Sequence, residues 1–224
     1  MDPLANPVWH ALTGPHSTFA EGDGAARRYR PDVTPFAALP DEPSASDWDA
    51  LAQVLGPGGI GVVLREEVAV PAGWDEAFRI DCYQMVGPQA APEGHRAEPL
   101  TDADVAEMAD LVGRTDPGPF RDRTVELGGY VGVRDGGALV AMAGQRLRVP
   151  GFTEISAVCT DPAHRGRGLA SGLVREVAAQ ITARGERAFL HVASENTGAI
   201  RVYERLDFSR SRVCVAVAVC ASST

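Results

Sequence analysis

The sequence predicts an α/β fold in which helices flank a central mixed β-sheet, with a small N-terminal α+β unit in front of it. Residues 130–149 contain two strand-like runs joined by an Asp-Gly-Gly turn, a pattern that is typical of an antiparallel hairpin. Residues 152–193 follow the order strand, turn, long helix and strand, which indicates two parallel strands joined by a crossover. A sheet that contains both kinds of pairing is a mixed sheet.

The N-terminal unit is predicted to cover residues 1–86. A proline-rich beginning is followed by a helix with a predicted cap at Ser46 and by two strand-like runs. The helix places its apolar residues on one face: Trp48, Leu51, Ala52 and Leu55. No catalytic constellation is recognisable in this unit. Its role is left open between a degenerate half copy of the next domain, a cover for that domain's cleft and a dimer contact.

The main domain is predicted to cover residues 97–224, after a linker at 87–96 that is rich in proline, glycine and alanine. Thr101 is expected to cap a first helix, and residues 120–127 are expected to form a shorter helical piece. The strand at 152–160 alternates between two faces: Glu154, Ser156, Val158 and Thr160 on one, and Ile155, Ala157 and Cys159 on the other. A long helix to about Arg184, a strand, a short helix and a final strand complete the prediction.

Composition and charge exclude several classes of function. The net charge of −9 argues against a nucleic-acid surface, and all 21 basic residues are arginine. The absence of lysine excludes a Walker-type phosphate loop and Schiff-base chemistry. No apolar run is long enough to cross a bilayer, and the N-terminus lacks the features of a secretion signal, so a cytoplasmic protein is predicted.

The cysteines and histidines predict no metal site. The four cysteines form no CxxC pair, and three of them lie in strand-like runs where buried, inert thiols are common. The five histidines are scattered along the chain. His164 and His191 are interpreted as structural, and Cys159 is set aside as a covalent nucleophile.

The stretch "CTDPAHRGRGLASGLV" places two arginines and two glycines directly before an amphipathic helix. Glycine allows backbone N–H groups to converge at a turn, and the helix directs its positive end to the same point. This arrangement predicts an anion site, and a phosphate is the expected anion.

This stretch, followed by "NTGAIRVYERLDF", resembles the GCN5-related N-acetyltransferase (GNAT) superfamily over about residues 97–212. The family's acyl-CoA signature is Arg or Gln, two residues, Gly, one residue, and Gly or Ala. Here it is Arg165-Gly166-Arg167-Gly168-Leu169-Ala170. Its position between a strand and an amphipathic helix, about thirty residues before a second motif, makes the resemblance specific.

The resemblance implies that acetyl-CoA is the co-substrate. The coenzyme A pyrophosphate would lie on the N–H groups of the signature. Main-chain groups of Val158 and Thr160 would bind the pantetheine arm as a missing strand would. Asn196 would contact the pantetheine amides; the alternative is that Asn196 serves only as a helix cap.

The resemblance also implies the catalytic residues. Glu154 precedes Arg165 by eleven residues, the spacing of family members in which a strand glutamate is the base. The alternative for Glu154 is a solvated or salt-bridged carboxylate. Tyr203 matches the family tyrosine that protonates the departing thiolate; the alternative is an aromatic partner for Phe208.

The predicted function is therefore direct transfer of an acetyl group from acetyl-CoA to a primary amine on a small molecule or peptide. The alternatives are a catalytically silent coenzyme A binding module and an acyltransferase with another acyl chain. No motif identifies the acceptor, although Phe120, Arg121 and Arg123 lie in the segment that selects it in the family. Nucleic acid and membrane are not expected as partners, and a homodimer is left open.

Overall fold

The structure, a computed structural model, describes residues 2–89 and 97–222. Residues 90–96 of the predicted linker lie outside the described residues. Within the described part of the chain, no helix has the length and apolar character needed to cross a membrane. Five α-helices are described: α1 (Pro7–Leu12), α2 (Ala45–Leu55), α3 (Val105–Thr115), α4 (Leu169–Ala183) and α5 (Thr197–Glu204).

The described strands are β1 (Ala20–Glu21), β2 (Arg27–Tyr29), β3 (Ala37–Ala38), β4 (Gly61–Arg65), β5 (Trp74–Val86), β6 (Glu98–Pro99), β7 (Val131–Asp135), β8 (Ala138–Val149), β9 (Phe152–Thr160), β10 (Arg187–Ala193) and β11 (Ser209–Ala221). Strands β1 to β3 form a small sheet, and the other eight form one sheet in the order β4-β11-β5-β10-β9-β8-β7-β6. Strands β7 and β8 pair antiparallel, whereas β9 and β10 pair parallel. The predicted mixed sheet flanked by helices is confirmed.

The chain forms two compact units, and neither is a single continuous segment. The first comprises Met1–Tyr83, Leu147–Pro150 and Arg212–Thr224; the second comprises Gln84–Arg146 and Gly151–Ser211. The end of β11 belongs to the first unit because residues 215–219 pair antiparallel with β4. The units therefore differ from the segments 1–86 and 97–224 predicted from the sequence. The interpretation of the N-terminal segment as a half copy stays a prediction.

In the first unit, α2 buries one face and is capped at Ser44. Trp48, Leu51 and Leu55 are buried in a core that also contains residues of β4 and β11. The backbone N–H of Ser44 donates to the Asp47 carboxylate at 2.7 Å, as part of a capping box. The prediction of Ser46 as the cap is wrong, because the helix starts one residue before it.

In the second unit, the long helix α4 packs its apolar stripe into the core. The stripe is buried at Leu173, Val174, Val177, Ala178 and Ile181. Thr101 caps a short 3-10 turn at Asp102–Asp104 that leads directly into α3. The predicted helical piece at 120–127 is shorter than expected: only Thr124–Leu127 is helical, as a second 3-10 turn.

Candidate functional site

The parallel pair β9 and β10 pairs only over its first part. The paired residues are Phe152 with Arg187, Thr153 with Ala188 and Glu154 with Phe189. Ala157 on β9 then adopts a positive φ of 53°, which is uncommon for a residue other than glycine. Beyond Glu154, β9 keeps β8 as its neighbour but no longer pairs with β10, so its β10-facing edge could receive an extended ligand; on this part of the strand the Thr160 carbonyl accepts from Arg165 Nε at 3.3 Å.

The expected alternation along β9 is only partly correct. Ala157 and Cys159 are buried, while Val158 and Thr160 are half-buried, as alternation predicts for this part of the strand. Glu154 was predicted to share the face of Val158, but it is completely buried.

The turn before α4 has the geometry that an anion site requires. Gly166 and Gly168 have φ values of 77° and 76°, a region that other residues rarely adopt. Helix α4 begins at Leu169, and no side chain of the described residues caps its N-terminus at Gly168. The first N–H groups of the helix and the positive end of its dipole are therefore directed at the turn.

A cavity of about 600 Å³ joins the turn to the end of β9 and to α5. Of the nine residues predicted to bind the coenzyme, eight line it: Val158, Thr160, Arg165, Gly166, Gly168, Leu169, Ala170 and Asn196. The exception is Arg167, whose guanidinium lies 3.3 Å from the Asp135 carboxylate. A contribution of Arg167 to the turn would come from its backbone.

Several residues that line the cavity were not predicted from the sequence, and Arg205 is a charged example. His164, which was interpreted as structural, also lines the cavity. Arg205 caps the C-terminus of α5, and the sequence "RVYERL" offers two arginines without a pattern to distinguish them. His164 Nε2 lies 3.2 Å from the Asp135 carboxylate and Nδ1 lies 3.6 Å from the Asp161 carboxylate, so the ring stands between two carboxylates beside the turn.

Tyr203 and Asn196 line the same cavity from α5 and its cap. Burial raises the pKa of Tyr203 to about 12, so the phenol keeps its proton at neutral pH. Its ring also packs against Phe208, with centroids 6.1 Å apart. The side-chain Oδ1 of Asn196 accepts from the backbone N–H of Ala199 at 3.0 Å, so the Asn196 side chain caps α5 at the edge of the cavity.

Glu154 does not line the cavity. Its carboxylate accepts two hydrogen bonds from Arg146, at 2.6 and 2.8 Å, and one from His191 at 2.7 Å. Burial alone would raise the pKa of Glu154, but Arg146 and His191 outweigh it and lower the pKa to about 2. This is the environment of a salt-bridged carboxylate, and the role of base stays a prediction.

Cys159 lies on the cavity wall but is buried, and burial raises the pKa of its thiol. A thiol with a raised pKa is a poor nucleophile at neutral pH. Among the described residues, no three side chains of the types His, Cys, Asp and Glu come together as metal ligands would.

Comparison with known proteins relates this chain to acetyltransferases. Residues 130–217 match the model of the family FR47-like protein. The N-alpha-acetyltransferase RimI of Mycobacterium tuberculosis is 38% identical over 122 residues, which are 50% of this chain and 76% of that protein. A solved structure assigned to the GNAT acetyltransferases, from Novosphingobium aromaticivorans, is 37% identical over 100% of both chains with a TM-score of 0.92. A GCN5-related N-acetyltransferase from Kribbella flavida shares the fold at 20% identity, with a TM-score of 0.67 over 97% of this chain and 96% of that one.

Proposed function

This chain belongs to the GCN5-related N-acetyltransferase superfamily, and on that premise we propose that it transfers an acetyl group from acetyl-CoA directly to a primary amine. Acetyltransferases of this family use acetyl-CoA as their co-substrate. One observation carries the proposal. A single cavity brings together the glycine turn, the end of β9 that has separated from β10 and the Tyr203 side chain.

The coenzyme would bind along that cavity by chemistry suited to each of its parts. The pyrophosphate would accept from the N–H groups of residues 166–170, with Arg165 and Arg205 as neighbouring cations. The pantetheine arm would pair with the main chain at Val158 and Thr160, where β9 no longer pairs with β10; the Thr160 carbonyl, which accepts from Arg165 Nε at 3.3 Å, would have to be released. This arrangement would bring the thioester towards Tyr203.

The transfer needs a proton donor for the departing thiolate and an acceptor for the amine proton. We assign the donor to Tyr203, since its phenol is protonated and lines the cavity. The Glu154 carboxylate supplies the negative charge that favours removal of the amine proton. Because Arg146 and His191 occupy this carboxylate, Glu154 acts through a neighbouring group rather than by direct contact.

The acceptor class that we propose first is the N-terminal α-amine of a peptide or protein. Its support is the relative named as an N-alpha-acetyltransferase, which matches half of this chain. The second candidate, a silent coenzyme A binding module, is favoured by one observation, the complete burial of Glu154. Catalytic turnover distinguishes the two candidates.

The test measures release of coenzyme A from acetyl-CoA in the presence of peptides that differ in their first residue. Each peptide has a matched control in which the N-terminus is already acetylated. Transfer to free peptides and none to blocked ones supports an α-amine acceptor. Transfer to blocked peptides that contain lysine would move the acceptor to a side chain. Binding of acetyl-CoA without transfer to any amine would leave the silent module as the better account.

A further inference from the structure

Four polar side chains meet inside the second unit at the point where β9 and β10 separate. They are Gln84 on β5, Arg146 on β8, Glu154 on β9 and His191 on β10. The side chains of Glu154, His191 and Arg146 are 0%, 4% and 11% exposed. Buried charged groups are costly unless they are paired, so this cluster is held by its own hydrogen bonds.

The Glu154 carboxylate is already engaged by hydrogen-bond donors of the protein. Its Oε1 accepts from an Arg146 terminal nitrogen at 2.6 Å and from His191 Nδ1 at 2.7 Å. Its Oε2 accepts from Arg146 Nε at 2.8 Å. A carboxylate that is stabilised by three donors is a weak base and cannot approach an amine in this geometry.

His191 presents the basic lone pair of the cluster. Its Nδ1 faces the Glu154 carboxylate, which can only accept, so Nδ1 carries the ring proton. Its Nε2 lies 3.1 Å from the amide nitrogen of Gln84, which can only donate. The Nε2 atom is therefore the acceptor, and Gln84 occupies the position from which another N–H group would donate.

The location of His191 agrees with a role in proton transfer. The last residue pair between β9 and β10 is Glu154 with Phe189, and His191 is two residues beyond it. Further along β9, Val158 and Thr160 line the proposed coenzyme cavity. His191 thus follows the end of the ladder, on the strand from which β9 diverges, and like Glu154 it is not itself part of the cavity lining.

We propose that His191 Nε2 takes the proton from the acceptor ammonium and that Glu154 is the positioning residue that orients the ring. This inference rests on the proposed acetyl transfer. An N–H bond of the ammonium breaks and an Nε2–H bond forms, with Gln84 giving way to the substrate. The free amine attacks the thioester carbonyl, the C–S bond breaks, and Tyr203 protonates the thiolate. The attacking nitrogen then loses its second proton to the Tyr203 phenolate, which restores the phenol. His191 releases its proton to solvent.

Protonation of the ring adds a positive charge to the cluster. The negative charge of Glu154 on β9 faces His191 and also pairs with the Arg146 guanidinium on β8, so it stabilises the protonated ring only in part. Gln84 on β5 faces the ring and is uncharged. A carboxylate that orients a histidine and stabilises its protonated form is a recurrent arrangement in acyl transfer.

The kinetic test compares His191→Asn with a matched control, His10→Asn, which changes a histidine of α1 in the first unit. The amide of the introduced asparagine can still donate to Glu154 but cannot accept a proton. We expect a loss of roughly 100-fold in kcat with KM almost unchanged, because a general base contributes about that much or more. In this variant kcat/KM should rise about tenfold per pH unit up to the pKa of the amine, because the free amine then comes from solution. His10→Asn should match the wild type.

If His191→Asn keeps the wild-type kcat, or keeps the wild-type pH profile at reduced activity, the role of His191 is overturned. The proposed acetyl transfer would still stand. A wild-type protein that acetylates no amine would instead overturn the proposed function, and with it a base at His191. An independent measurement reports which nitrogen of the His191 ring carries the proton. In ¹⁵N spectra of histidine-labelled wild-type protein, His191 should be the Nδ1–H tautomer, and assignment to the Nε2–H tautomer would contradict the proposal.

Discussion

At the scale of single residues, burial decides what each candidate side chain can do. Tyr203 is 8% exposed, and burial raises its pKa to about 12, so it can serve as an acid but is rarely ionised. Glu154 is also buried, but Arg146 and His191 lower its pKa to about 2 and keep it ionised. The family resemblance proposed both residues as catalytic candidates. The sequence could not reveal the partners of Glu154, because Arg146 and His191 are placed by tertiary contacts.

Replacement of Tyr203 by phenylalanine tests the proton donor. No hydrogen bond of the Tyr203 hydroxyl is found among the described residues, so the fold should tolerate the change within about 0.5 kcal/mol. We expect kcat to fall roughly 100-fold, with the dissociation constant of acetyl-CoA almost unchanged. Steady-state kinetics and calorimetric titration measure the two quantities. Equal turnover in both proteins would reduce Tyr203 to a packing partner of Phe208.

His16 in the first unit predicts a loss of stability in mild acid. Burial, with a smaller contribution from the charge of Arg148, lowers the pKa of His16 to about 4. Below a pH of about 6.5, His16 is protonated in the unfolded chain but stays neutral in the folded protein. The free energy of unfolding therefore falls as the pH drops to about 4. The full effect is roughly 3 kcal/mol. Denaturant unfolding at several pH values measures it. A His16→Gln variant should lose this part of the pH dependence, and an unchanged profile would contradict the assignment.

At the scale of elements, local sequence patterns were sufficient for most helices and strands. The hairpin of β7 and β8, the crossover through α4 and the strand before the glycine turn follow from periodicity and turn residues. The irregularity at Ala157 was missed, because alanine carries no signal for a positive φ. The cap of α2 was misplaced because "SAS" offers two serines, and the chain uses Ser44.

The strained backbone at Ala157 gives a prediction for β9. A β-branched residue tolerates a positive φ poorly, so Ala157→Val should lower the free energy of unfolding by about 1–3 kcal/mol. Ala157→Gly is the matched comparison and should be close to neutral. Glycine relieves the backbone strain but costs more conformational entropy on folding. Equal stability of the valine and glycine variants in denaturant unfolding would show that this backbone geometry is not required.

At the scale of the whole molecule, long-range pairing was the part that the sequence could not predict. The first compact unit is assembled from three separate segments, because the end of β11 pairs with β4 about 150 residues earlier in the chain. No local pattern encodes such a partner, so boundaries drawn along the chain could not group these segments. The net charge of −9 likewise gave no indication of an anion site, which depends on one turn, one helix end and two arginines.

The measurement that tests the central claim most directly is calorimetric titration with acetyl-CoA of the wild type, Gly168→Glu and Gly185→Glu. Gly168 and Gly185 lie at opposite ends of α4, both have a φ of 76°, and an added Cβ at either has open space around it. The two variants therefore introduce the same strain and charge, but only one places the carboxylate at the proposed pyrophosphate site. We predict micromolar binding by the wild type and by Gly185→Glu, and none by Gly168→Glu. Equal binding by both variants, or no binding by the wild type, would contradict a coenzyme site at this turn.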